Sequence, residues 1–193
     1  MGMVMVRDAE ATRARLLEAA TAEFAAYGIA GARIDRIAAA ASVNKQMIYA
    51  YFGSKDALFD VVFSTYVGGS LSQVDFDASD LPEYAGRMYD RFANDPASLR
   101  LSTWYRLERP QGRGLEAVVA INEVRLERLR EAQRAGALPG HFDATELLSL
   151  IQAIATSWAT MNPEFTQVAE PIHHARRRRA VVDAVRRLLA ETK

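Results

Sequence analysis

Residues 34–52 carry two short apolar stripes on either side of a three-residue turn, and this stretch limits the fold more than any other. Ile34, Ile37, Ala38 and Ala41 recur at steps of three and four, which places them on one face of a helix over 34–41. Ser42-Val43-Asn44 interrupts, and a second short helix follows over 45–51. Two short helices joined by a tight turn cross steeply, and small residues are needed where they meet. Ala38 and Ala41 permit that approach, while Ile34, Ile37, Val43 and Ile48 supply buried contacts. The stretch reads as a helix-turn-helix.

The surrounding sequence repeats the helical spacing, with no convincing alternating strand. A helix over 8–27 puts Leu16, Leu17, Ala20, Phe24 and Tyr27 on one stripe that would roof the pair. Gly28 stands where a left-handed cap would end it. Ser54 is the N-cap of a further helix from Lys55, which carries Leu58, Val61, Val62 and Thr65 and runs out at Gly68-Gly69. Residues 68–80 are a linker by their Gly, Ser and Asp content. Helices follow over 81–94, 96–107 and 115–135, punctuated by Asp95-Pro96, by the Pro/Gly-rich stretch 110–114 and by Gly136. Asp143 with Glu146 forms a capping signature that opens a helix over 144–161, and the last helix spans 171–190. Nine helices are expected, and the fold class is all-α.

Composition excludes several chemistries. The chain has 193 residues and no cysteine, so disulfides, thiolate metal sites and cysteine nucleophiles are absent. Its three histidines are His141, His173 and His174; adjacent histidines point apart on a helix, and no carboxylate sits at metal-ligand spacing. No nucleophile elbow or phosphate-binding glycine loop occurs, so neither an enzyme nor a cofactor or metal site is expected. The N-terminus lacks a secretion signal, Val6 breaks a myristoylation motif, and no apolar run is long enough to span a bilayer. The cytoplasm is the default compartment.

Formal net charge is zero, which does not by itself select nucleic acid. Within 33–55, however, Arg33, Arg36, Lys45 and Lys55 face Asp35 alone. The second helix of such a motif enters the major groove by its N-terminal residues. Here Asn44 is the N-cap, Lys45 can donate to guanine or phosphate, and Gln46 can bridge adenine N6 and N7. Tyr49 and Tyr51 carry hydroxyls at phosphate height, while Phe52 reads as core. Lys55 adds charge beside free backbone N–H groups at the next helix start. Arg33 and Arg36 read equally as contacts to the opposite strand and as solvated surface charge.

The stretch from Ile34 to Leu58, with its Ile-Tyr-x-Tyr-Phe-x-x-Lys-x-x-Leu run, resembles the signature of the tetracycline-repressor (TetR) family, and residues 16–28 resemble that family's first helix. The likeness covers about residues 10–62. It implies that Tyr49 and Lys55 fall on phosphate-contacting positions and Lys45, Gln46 and Tyr51 on recognition-helix contacts. Two departures stand out: Arg33 replaces a capping Thr or Ser, and Ser42 replaces the turn glycine. Ser42 means that the turn either avoids a positive φ or tolerates strain.

The resemblance further implies a three-helix DNA-binding domain over 1–67 and a helical-bundle effector and dimerisation domain over 68–193. The last two long helices would form a homodimer, since a chain this size has limited interior to bury both apolar stripes. Met88, Tyr89, Trp104, Tyr105, Asn122, Gln152 and Trp158 are candidates for an effector pocket, with Arg106 as a further polar anchor. The run 176–179, four arginines around most of a helix circumference, reads as solvated or as an interface rim. The expected function is a ligand-responsive regulator, most simply a repressor, that binds a palindromic double-stranded operator. Its rivals are a helical enzyme or small-molecule and lipid-binding protein with a degenerate helix-turn-helix, and a protein-interaction adaptor.

Overall fold

The helical spacing is realised along the chain. The computed structural model describes residues 2–109, 115–168 and 170–190, and among these there is no strand. The helices are α1 (Gly2–Gly31), α2 (Ile34–Ala40), α3 (Lys45–Phe52), α4 (Lys55–Val62), α5 (Gly68–Ser72), α6 (Leu81–Asn94), α7 (Pro96–Glu108), α8 (Glu116–Arg134), α9 (Ala144–Thr156), α10 (Pro163–Val168) and α11 (His174–Leu188). The expected breaker at 110–114 lies outside the described residues. No described helix is long and apolar enough to cross a membrane, and no described group of His, Asp or Glu could hold a metal ion.

Several boundaries differ from expectation. A π-helical turn, Phe63–Val67, joins α4 to α5, so the helical run passes through Gly68-Gly69 and stops at Ser72. The linker is correspondingly shorter. Conversely, α9 ends at Thr156 rather than 161. There Thr156, Ser157 and Thr160 turn their hydroxyls onto carbonyls three and four residues back, competing with continuation of the helix before Asn162-Pro163. The short helix α10 was not anticipated.

The chain packs as two units: Met1–Gly69 with Ala97–Val118, and Ser70–Pro96 with Val119–Lys193. In the first unit, Leu16, Ala20 and Phe24 of α1 are buried with Ile37, Ile48, Leu58 and Phe59 of α2 to α4. Phe24 meets Phe59 edge-to-face at 5.1 Å, a favourable aromatic geometry. Gly28 breaks α1 with φ 71°, ψ −174°, but helical turns resume to Gly31, so it is a kink rather than the end of the helix. That kink explains why α7 packs here. Arg100 Nε and Trp104 Nε1 donate to the Ala25 carbonyl at 2.7 and 3.3 Å, and the Ala30 N–H donates to Glu108 at 2.7 Å. Backbone groups released by the break are thereby satisfied. A Cβ at Gly28 would lie 2.5 Å from Glu108 Oε1 and 2.8 Å from the Trp104 ring, so only glycine fits.

In the second unit, α6 packs on α9 and α11. Val181, Val182 and Val185 of α11 and Leu147, Leu148, Ile151 and Ala155 of α9 are all buried within the one chain. Against α6 each stripe is buried in part, while Ile154, Trp158, Leu188 and Leu189 keep intermediate exposure. The 70–76 segment is fastened by arginines: Arg91 to Ser70 Oγ, Arg125 to the Leu71 carbonyl, Arg87 to the Asp75 carbonyl and Arg128 to the Phe76 carbonyl. Arg125 is 3% exposed and also lies 5.4 Å from the Tyr84 ring centroid. Burial pushes the Tyr84 hydroxyl up to about 12.

The arginine run 176–179 is likewise more than a solvated helix start. Arg178 pairs with Glu83 and, at 2.6 Å, with Asp90. Gly86 leaves room for it, since a Cβ there would be 3.0 Å from its guanidinium carbon. Hydrogen bonding to Arg178 holds the Glu83 carboxyl below the usual carboxylate range. Arg177 lies over the Trp158 ring, whereas Arg176 and Arg179 are exposed.

Candidate nucleic-acid interface

Three backbone devices present α3. The first is the start of α2, where Arg33 makes no side-chain cap. Instead the Arg33 N–H donates to Glu23 Oε1 of α1 at 2.9 Å, so an acid from the preceding helix takes the N-cap's own N–H, the role of the acid in a capping box, although no side chain caps the first turn itself. The same oxygen receives Arg36 Nε at 2.8 Å. Burial opposes the charge on Glu23, but the hydrogen bonds from Arg36 and from Arg33 N–H outweigh it and keep the carboxyl below its ordinary range.

The second device is the turn. Ser42 adopts φ 55°, which resolves the earlier alternative in favour of a positive φ. Val43 N–H donates to the Ala38 carbonyl at 3.0 Å and Ser42 N–H to Ala39 at 3.1 Å, the pair of bonds that defines a Schellman end. A side chain in this region costs about 1–2 kcal/mol that glycine would not. The third is the N-cap of α3, where Asn44 Oδ1 accepts the Gln46 N–H at 3.0 Å.

These devices leave α3 with Ile48 buried and its remaining polar side chains outward. Lys45 and Gln46 are exposed at the N-terminal end, while Tyr49 and Tyr51 are 49% and 39% exposed. Lys45 Nζ lies 3.2 Å from Asp35, an ion pair in open solvent that a stronger anion can displace at little cost. Met47, which belongs to the same leading turn of α3, is exposed beside them. Arg33 is exposed on extended backbone.

Two expected residues are placed differently. Arg36 is held 2.6 Å from Glu23, donates to the Gly31 carbonyl and lies 4.3 Å over the Tyr27 ring, so its guanidinium braces the α1–α2 corner. Tyr27 is thus a half-exposed platform for Arg36 instead of part of the buried roof. Lys55 Nζ donates to the carbonyls of Ala32 and Ala30 at 3.2 and 3.4 Å, and so ties α4 to the end of α1. The residue missed altogether was Glu23. Its signal was an acid at the 20, 23, 27 spacing of an otherwise apolar stripe, where an unpaired carboxylate is not expected to be buried.

The seven effector candidates do not form one site. Trp104 and Tyr105 belong to the first unit, where Trp104 rests on Gly28 and Tyr105 lies 4.3 Å from the Phe63 ring. Sequence order puts α7 after the linker, whereas its packing is with the first unit. Met88 is 1% exposed in the core of the second unit. Gln152 donates to Asn122 at 3.2 Å, so each amide has a partner in the other. Arg106 is exposed on α7. Tyr89 and Trp158 do converge, on a cavity of about 380 Å³ that Phe92, His174 and Arg177 also line.

Comparison with known proteins identifies the family. Residues 16–62 match the family described as bacterial regulatory proteins, tetR family, and residues 80–187 match the tetracyclin repressor-like C-terminal domain. The chain is 40% identical over 166 residues to an HTH-type transcriptional repressor of Streptomyces coelicolor, covering 84% of this chain and 85% of that one. It is 39% identical over 88 residues to the HTH-type transcriptional repressor NicS of Pseudomonas putida, covering 44% of this chain and 41% of that one. Among solved structures, a transcriptional regulator of Streptomyces coelicolor superposes with a TM-score of 0.80 at 42% identity, covering 92% of this chain and 97% of the other. The chain belongs to the TetR family of transcriptional regulators, which are DNA-binding proteins and not enzymes.

Proposed function

We propose that the chain is a homodimeric, ligand-responsive repressor that reads a palindromic operator with α3. The observation that carries this reading is the outward cluster of Lys45, Gln46, Tyr49 and Tyr51 on a helix whose buried residue is Ile48. Lys45 and Gln46 at the leading end meet base edges, with Asn44 holding the helix start. Tyr49, Tyr51 and Arg33 meet phosphates. Lys55 and Arg36 support the surface by fixing the α1–α2 corner. Repression follows the names of the relatives, two of which are repressors.

Residues 1–67 act as the DNA-binding domain and 68–193 as the effector and dimerisation domain, with α7 shared in packing terms by the first. Two copies join through α9 and α11, where Leu150 is exposed, and set two recognition helices about one DNA turn (~34 Å) apart. The chain works in the cytoplasm, where its DNA is. An effector acts by binding one conformation better than the other, and it shifts operator affinity by that preference.

The test is a binding series on the intergenic DNA beside the gene. Lys45→Ala or Gln46→Ala should change which half-site sequence is preferred, by about 1–3 kcal/mol at one base pair. Tyr49→Phe should weaken binding to all sequences alike. Unaltered sequence preference in the Lys45 and Gln46 variants would overturn the assignment of base readout.

A further inference from the structure

We propose that the cavity walled by Tyr89, Phe92 and Trp158 binds a monoanionic aromatic carboxylate through Arg177. The effector reading above is needed only for the link from this site to DNA. At about 380 Å³ the cavity is within the range of small-molecule sites, roughly 300–1,000 Å³. Its remaining walls are alanines and Pro96, and its charge comes from Arg177 and, when protonated, His174; no carboxylate lines it.

Arg177 is prepared for an oxyanion. Its guanidinium carbon lies 5.2 Å from the Trp158 ring centroid, a cation–π contact that places the group at the cavity wall without using up its N–H donors. Its Nε is buried with no hydrogen-bond acceptor among the described residues. A buried donor without an acceptor is costly, so an occupant that brings one is favoured. Asp90 does not neutralise it: that carboxylate takes Arg178 Nε at 2.6 Å and faces His174 Nε2 at 3.3 Å.

The rest of the ligand follows from the walls. Aromatic faces favour a flat apolar body of one or two rings. One guanidinium matches one negative charge, whereas a phosphate dianion would bring a second charge against apolar walls. A bridging water could satisfy Nε but would leave those walls without a partner.

The experiment is calorimetric titration of the full chain with 2-naphthoate, benzoate, neutral 2-naphthamide and phenyl phosphate. The carboxylates should bind, and the amide should bind about tenfold more weakly, the loss expected for one charge-assisted hydrogen bond. Arg177→Gln should weaken naphthoate about tenfold. Ala159→Leu, which narrows the cavity without touching the arginine, should do the same while helix content and melting are retained. Equal binding of acid and amide, tighter binding of phenyl phosphate, no binding by any of the four, or unchanged naphthoate binding in both variants would each overturn the inference. Operator binding is measured separately. Naphthoate that binds without altering operator affinity leaves this site standing and overturns the effector reading.

Discussion

In the first unit, α3 carries Lys45, Gln46, Tyr49 and Tyr51 into solvent, while Arg36 and Lys55 stay behind as braces on the α1–α2 corner. In the second unit, the arginine run divides evenly: Arg178 holds two acids of α6 and Arg177 lies on Trp158, while Arg176 and Arg179 stay exposed, although four consecutive arginines look like surface. The number of cations in a stretch therefore says little about its use. What decides is whether a carboxylate, a carbonyl or an aromatic face lies within reach. Where one does, the cation becomes internal structure. At α3, Lys45 pairs with Asp35, itself exposed, and both side chains stay in solvent.

This contrast can be tested by breaking each brace. Gly28→Ala should have the largest effect, about 3 kcal/mol of destabilisation, because it combines a left-handed backbone with overlap against Glu108 and Trp104. Thermal melting should show a large loss, and operator binding should fall with it. Arg178→Met should cost about 2 kcal/mol, since it leaves Glu83 and Asp90, both on α6, without the cation they share. Operator affinity below the melting range should barely change, which separates the two units.

Glu23→Gln should have a smaller effect with a distinctive pH dependence. The folded carboxyl is held below its ordinary 4.5, so its contribution is present above that value and fades as the pH falls through the lower folded one. Melting curves of wild type and variant should differ at neutral pH and converge on acidification; a constant difference would mean that charge is not what matters. Ser42→Gly is the mildest change and goes the other way, stabilising by about 1 kcal/mol through relief of the positive φ. If it destabilised instead, the hydroxyl of Ser42 would have a role that the turn geometry does not reveal.

The helix-turn-helix was legible because its signals are local. Spacing placed α2 and α3 within a residue or two, Asn44 and Ser54 cap as expected, and Asp143 with Glu146 closes a capping box. What escaped depends on partners distant in sequence. Arg36 finds Glu23 13 residues away, Lys55 reaches Ala32 over 23, and Trp104 reaches Ala25 over 79. Periodicity identifies the face a side chain occupies, but not which carbonyl waits opposite. The π turn after α4 was invisible for another reason: Gly68-Gly69 would normally end a helix, and here the run continues through them. The effector candidates were chosen by size and aromaticity, and those properties do not distinguish Tyr105 in one core from Tyr89 beside a cavity.

Because α7 returns to cover the bend at Gly28, the first unit is built from two stretches of chain with another unit's residues between them. A peptide cut after residue 67 would lack Arg100, Trp104, Tyr105 and Glu108, and would leave the aromatic edge of Phe63 bare. Chimeras that graft this recognition helix onto another regulator should carry 97–108 along with 1–69. Exchanging the N-terminal stretch alone asks a foreign α7 to fit an indole and a carboxylate against one glycine.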